Sequence, residues 1–162
     1  MDINLSRGLL IGATVANGIA AGVALDLAIK QLPARQRIGP TPYRDYTCAA
    51  DLGNGLAWYP VLGAGTAVVT TGAVVAGLLD RPGTTRTVAL LASAASTLTH
   101  LAATSRAAPT LLSLRRGDPD NATIATKLDR FARIHAVRTV AIVTTLAAMA
   151  WALATTESPR VR

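Results

Sequence analysis

The 162-residue chain is 51% apolar, 15% charged and 4% aromatic, with a mean hydropathy of +0.37. Ordinary soluble domains carry roughly a quarter charged residues, so the composition points away from a disordered, collagenous or disulfide-built chain and towards a membrane. Sixteen Lys and Arg against nine Asp and Glu leave a net charge of +7 and a pI near 10.8, which raises a nucleic-acid reading that the positions of the basic residues must decide. Cys48 is the only cysteine, which excludes an intramolecular disulfide and a cysteine-rich metal site.

Four apolar segments organise the chain as one integral membrane domain, 1–162, an all-α four-helix bundle. Spanning a bilayer core takes about 20 apolar residues of helix. The first run, 8–29, is broken mainly by Asn17 and Asp26. A cleaved signal peptide is its rival reading, since Arg7 precedes an apolar stretch rich in small residues. The run is longer than a signal core of about 7–15 residues, and Asp26 and Lys30 close it. The connection from Lys30 to Gly55 holds Pro33, Pro40 and Pro42 and is too long for a simple turn. The second run, 56–79, contains no charge, and Pro82-Gly83 in the turn after it makes the third run, 87–108, its antiparallel neighbour.

The third connection contains RRGDPDN and then a helical stretch, for which Asp120 or Asn121 is the cap. Ile124, Leu128, Phe131 and Ile134 recur there at helical spacing, beside Lys127, Arg130 and Arg133. The fourth helix, 124–155, therefore begins as an amphipathic extension in the interface. Gly8 and Gly12, then Gly18 and Gly22, form Gly-x-x-x-Gly pairs, which allow close helix packing in lipid. Packing within the bundle is their expected use, and a homo-oligomer is the alternative.

Alternating helices put both long connections on one face. That face carries Lys30, Arg35, Arg37, Arg44, Arg106, Arg115, Arg116, Lys127, Arg130, Arg133 and Arg138, against Arg7, Arg81, Arg86, Arg160 and Arg162 on the other. The excess predicts long connections in the cytoplasm of a bacterial plasma membrane. No basic stripe with interleaved aromatics lies in a soluble segment, so the expected partner is the lipid bilayer and no nucleic acid.

The polar residues in or near the spans are Asn17, Asp26, Asn54, Trp58, His100, His135 and Arg138. All but Asn17 fall in the half of the membrane nearest the long connections. A charge at the bilayer centre is commonly estimated to cost about 2.5–3.5 kcal/mol, so a cluster of this kind calls for partners or a use. Arg138 follows His135 by three residues, and Ile142 and Thr145 continue the same helix face. Ser93, Ser96, His100 and Thr104 form a stripe on the third helix. Facing each other, the two stripes would make a cavity with an imidazole, a guanidinium and several hydroxyls. Trp58 would be its aromatic wall, and a hydrophobic aromatic molecule such as a phenol or quinone its occupant.

Structural readings compete at each position. Arg138 would serve as a topogenic arginine, Trp58 as an interfacial anchor, Asp26 as a partner of Lys30, and the hydroxyls as donors to their own helix. Other chemistry fits less well. Two histidines could hold at most a single haem, zinc would need more ligands, and no phosphate loop or serine elbow is present.

The stretch RFARIHAVRTVAIVTTLAAMAWAL, 130–153, resembles the last helix of the anthrone oxygenase-like membrane proteins, with Val137-Arg138-Thr139 as the matching triplet. GIAAGVALDLAIKQLP and DLGNGLAWYP are similar in layout to earlier parts of that family, whereas Phe131, Ala132 and Arg133 depart from its more polar run. The resemblance implies a four-helix membrane fold and a cofactor-independent oxygenase, with His135, Arg138, Asn54 and Trp58 at matching positions. The expected site is therefore His100, His135 and Arg138 as catalytic groups, Asn54, Trp58, Ser96 and Thr145 against the substrate, and no metal or other cofactor. The rival expectation is a non-catalytic protein that binds a lipid or quinone, or serves as a partner subunit.

Overall fold

The structure, a computed structural model, describes residues 3–117 and 119–156. Within them the chain is helical almost throughout and forms an all-α four-helix bundle. The helices are α1 (Ile3–Asp26), α2 (Leu32–Ile38), α3 (Pro40–Ala49), α4 (Gly55–Leu79), α5 (Thr84–Leu112) and α6 (Asn121–Ala154). Four continuous helical stretches, Leu5–Ile38, Pro40–Leu79, Thr84–Arg115 and Asn121–Ala154, are long and apolar enough to cross a membrane. Asp118, Arg160 and Arg162 lie outside the described residues.

The first connection, too long for a simple turn, is itself helical despite its three prolines. A π-helical turn, Leu27–Gln31, carries α1 into α2, and Pro33 stands in the first turn of α2, where its missing N–H leaves no bond unmade. Gly39 then takes φ +89, a left-handed value disfavoured for residues with a Cβ, and redirects the chain into α3. A second π-helical turn, Ala50–Asn54, runs into α4. The fourth helix begins three residues before the expected start: the Thr123 amide donates to Asp120 Oδ1 at 2.6 Å, capping α6 and holding that carboxyl below its ordinary range. At about 1.5 Å per residue, the 34 residues of α6 extend well beyond a bilayer core of about 30 Å.

Both long connections meet at one end of the bundle. Arg35 pairs with Asp129 at 2.6 Å, Thr41 bonds Asn121 at 2.6 Å, and Arg44 donates to the carbonyls of Leu114 and Gly117, each at 2.9 Å. At the opposite end Arg86 reaches Ser6 of α1 and Asp80 in the short turn. One apolar core, with Leu10, Ala73, Leu90 and Met149, lies near that turn. Another, with Leu32, Tyr43, Leu114, Leu128 and Phe131, lies under the long connections.

Large apolar side chains such as Ile19, Val68, Leu98, Val140 and Trp151 face outward, while Asn17, Thr70, Ser93 and Thr145 are buried. In lipid no hydrophobic force draws helices together, so small residues and internal hydrogen bonds must do so. Asn17 Nδ2 supplies two, to the Ala13 carbonyl and to Thr70 Oγ1 of α4, both at 2.8 Å. The Gly-x-x-x-Gly pairs play a smaller part than expected. Gly12 and Gly18 make ordinary contacts, and a Cβ at Gly8 or Gly22 would meet nothing.

A close contact between α4 and α5 lies instead at Gly77, where a Cβ would stand 2.9 Å from Leu90 Cδ1. Since overpacking a filled core costs about 1–3 kcal/mol, Gly77→Val should lower the unfolding midpoint in detergent. The double variant with Leu90→Ala should lose less than the two single losses added together.

Candidate functional site

Between the two cores, α4 and α5 part and enclose a cavity of about 400 Å³, within the range of pockets that hold small organic ligands. Its walls are mainly apolar: Leu56, Pro60 and Ala64 from α4, Leu101, Ala108 and Leu112 from α5, Leu27 and Phe131 behind them. Leu56, Leu101 and Leu112 are also exposed on the outer surface, so the opening lies between α4 and α5, on the flank that faces lipid in a spanning orientation.

Several polar groups interrupt the apolar lining. His100 of α5 and His135 and Arg138 of α6 all border the cavity, together with Thr104, Asp51 and Tyr59. A crevice of about 30 Å³, the space of one or two waters, continues inward past Tyr59, His100 and Arg138 to Asn17, Thr66, Thr97 and Thr145.

His135 is buried and fixed on three sides. Its Nε2 lies 3.0 Å from the Ala24 carbonyl and 3.2 Å from Thr139 Oγ1, and its ring stacks on Phe131 with centroids 5.7 Å apart. Thr139 gives its own proton to the His135 carbonyl at 2.9 Å, so both neighbours of Nε2 act as acceptors and the neutral ring carries its proton there. Nδ1 is left as a buried lone pair with no partner among the described residues.

Ala24 lies just before the π-helical turn of α1, and turns of this kind disturb the regular carbonyl pairing of a helix and recur at functional sites. His100 is likewise buried, with Nδ1 unpartnered among the described residues. Arg138 makes no ion pair among the described residues, and its buried Nε has no hydrogen-bond partner.

The sequence-predicted residues divide sharply. His100, His135 and Arg138 come together, and Thr145 borders the crevice although its hydroxyl is bonded to the Ala141 carbonyl. Trp58 does not contribute a wall. It is 66% exposed, and its neighbour Tyr59, about 100° around the helix, faces the cavity in its place. Asn54 is exposed at the end of the second π-helical turn, whereas Asp51, at its start, is buried against the cavity. Ser96 is half-buried outside the lining, and Thr97, again about 100° away, takes its place in the crevice. Asp26 pairs with Lys30, the structural role expected of it, and also accepts from Gln31.

Asp51 and Tyr59 are the residues that sequence reasoning missed. Tyr59 donates its hydroxyl to Asp51 Oδ1 at 2.6 Å. Gly55 makes this possible, since a Cβ there would stand 2.8 Å from the tyrosine ring and 3.2 Å from the Ala50 carbonyl. The available signal was an acidic residue eight positions before a tyrosine, with glycines between them. Among the described residues, no three His, Cys, Asp or Glu side chains are placed to hold a metal ion. No protein-family model matches the chain, and no curated protein or solved structure shows significant similarity to it.

Replacing His135 with Leu removes the donor from the Ala24 carbonyl and should destabilise the bundle by about 1–3 kcal/mol. Trp58→Phe, on an exposed face, should stay within about 0.5 kcal/mol. Unfolding midpoints measured in one detergent compare the two.

Proposed function

We propose that the protein is a membrane-embedded oxygenase acting on a phenolic or anthrone-type molecule that reaches the site from the bilayer. The observation that carries this reading is the apolar cavity between α4 and α5, with His100, His135 and Arg138 in its lining. An aromatic body would lie between the leucine-lined walls, and its oxygen would point at the guanidinium. The likeness of 130–153 to the last helix of anthrone oxygenase-like proteins, which contains two of these three residues, agrees with it.

The chemistry needs a base that the substrate can reach. His135 gives its Nε2–H to the Ala24 carbonyl and its Nδ1 is buried, so the base is His100, whose ring borders both the cavity and the crevice. It takes the proton of the substrate hydroxyl, or of its enol tautomer, and Arg138 stabilises the oxyanion that results. The negative charge spreads to the ring carbon, which is oxidised by molecular oxygen. One oxygen atom remains as the new ketone and the other leaves as water with the two hydrogens of the former CH₂. His135, held by the Ala24 carbonyl, positions the α6 face that carries Arg138. We place the protein in a bacterial plasma membrane with the basic, long-connection face in the cytoplasm, on the distribution of Lys and Arg.

Purified protein in nanodiscs, given an anthrone and oxygen, should form the quinone faster than empty nanodiscs. His100→Gln and Arg138→Gln should each slow turnover by about 100-fold or more. Rates equal to the blank, or unchanged in both variants, would overturn the oxygenase reading. Binding of the anthrone without turnover would support the rival role, a carrier of aromatic or quinone-type molecules.

A further inference from the structure

The cavity has a second polar pole that the mechanism above does not use. Asp51 is 8% exposed, borders the cavity and makes no ion pair among the described residues. Its Oδ1 is held by the Tyr59 hydroxyl at 2.6 Å, while no hydrogen bond among the described residues engages Oδ2. A buried carboxyl group costs free energy unless its oxygens are satisfied, and a bond from Tyr59 satisfies only one. A purely structural role would be to pin the second π-helical turn to α4, and for that Oδ1 alone suffices.

Asp51 and Arg138 stand at different depths. Asp51 belongs to the turn that precedes α4, at the long-connection end, whereas Arg138 lies where the cavity narrows into the crevice. Tyr59 borders both spaces and links the two poles, and Leu56 and Leu101 line the same cavity. One pole is an acceptor of hydrogen bonds and the other a cationic donor, so their demands on a ligand are opposite.

We infer that the site selects aromatic molecules with two oxygen functions, a hydroxyl that donates to Asp51 at one end and an oxyanion or carbonyl received by Arg138 at the other. This rests on the proposed reading of the cavity as a binding site for a phenolic molecule and names the substrate class within it. Asp51 is then a specificity-determining residue, and Tyr59 positions it. A site built to bond a hydroxyl discriminates strongly against the analogue lacking it, because its own polar group is left unpaired.

The probes are 2,6-dihydroxynaphthalene and 2-naphthol, which share one ring system and differ by one hydroxyl. Equilibrium dialysis of protein-loaded against empty nanodiscs removes the contribution of partition into lipid. The diol should bind at least about tenfold more tightly than 2-naphthol, as expected for one hydrogen bond to a charged acceptor. Asp51→Leu should bring the ratio close to one, and Asp51→Asn, which keeps an acceptor, should retain most of it. Tyr59→Phe should reduce it several-fold, and this variant carries the test if Asp51→Leu does not fold.

A ratio of one in the unaltered protein overturns the inference, as does a ratio unchanged in the leucine variant, or in the phenylalanine variant if that one carries the test. If 2-naphthol binds and Arg138→Gln weakens it while the diol has no advantage, the inference alone falls. If neither naphthol binds above the empty nanodisc, the underlying reading falls with it.

Discussion

The hydrocarbon of a bilayer offers no hydrogen-bond partner, and this constraint shapes the molecule from the backbone outward. Helices satisfy their own peptide groups, and polar side chains must turn inward to find partners. Most do so: Ser93, Thr104 and Thr145 bond carbonyls one turn back, and Asn17 ties α1 to α4 through Thr70. Beside the cavity and its crevice, His100 Nδ1, His135 Nδ1, Arg138 Nε and Thr97 Oγ1 are buried without a partner among the described residues, as are Arg35 Nη1, Thr47 Oγ1 and Arg86 Nε elsewhere. Buried polar atoms without partners are uncommon in folded proteins, and four of these seven lie around one space.

The two π-helical turns act on the same region. The first follows Ala24, whose carbonyl holds His135, and the second carries Asp51 and precedes Tyr59. Both occur towards the long-connection end, where α4 and α5 are apart, while at the other end Gly77 allows Leu90 to press against α4. A bundle closed at one end and parted at the other presents its cavity sideways. A molecule dissolved in the bilayer could reach it without crossing the polar ends of the protein.

The hydrophobic pattern made the four spans legible, since long uncharged runs have few other stable solutions. His135, Arg138 and Thr145 were legible as one helix face because α6 is regular from its Asp120 cap onward. The same reasoning placed Trp58, Asn54 and Ser96 at the site, and each lies one to three positions from the residue that lines it. Near α4 the cause is identifiable. The chain enters α4 through a π-helical turn, and such a turn departs from the 3.6-residue repeat on which facing arguments rely. At Ser96 the stripe was located correctly but not the flank turned to the cavity, which depends on how the neighbouring helices pack.

The sequence by itself determined the solvent of this protein, the number of its spans, the antiparallel pairing at Pro82-Gly83 and the presence of a few ionisable residues too costly to be scattered in lipid. Those properties follow from composition and local periodicity. The tertiary structure alone decided that Asp51 and Tyr59 join them, that Trp58 faces away, and which nitrogen of His135 carries its proton. It did so because each of these depends on a carbonyl, a ring or a helix supplied from a distant part of the chain.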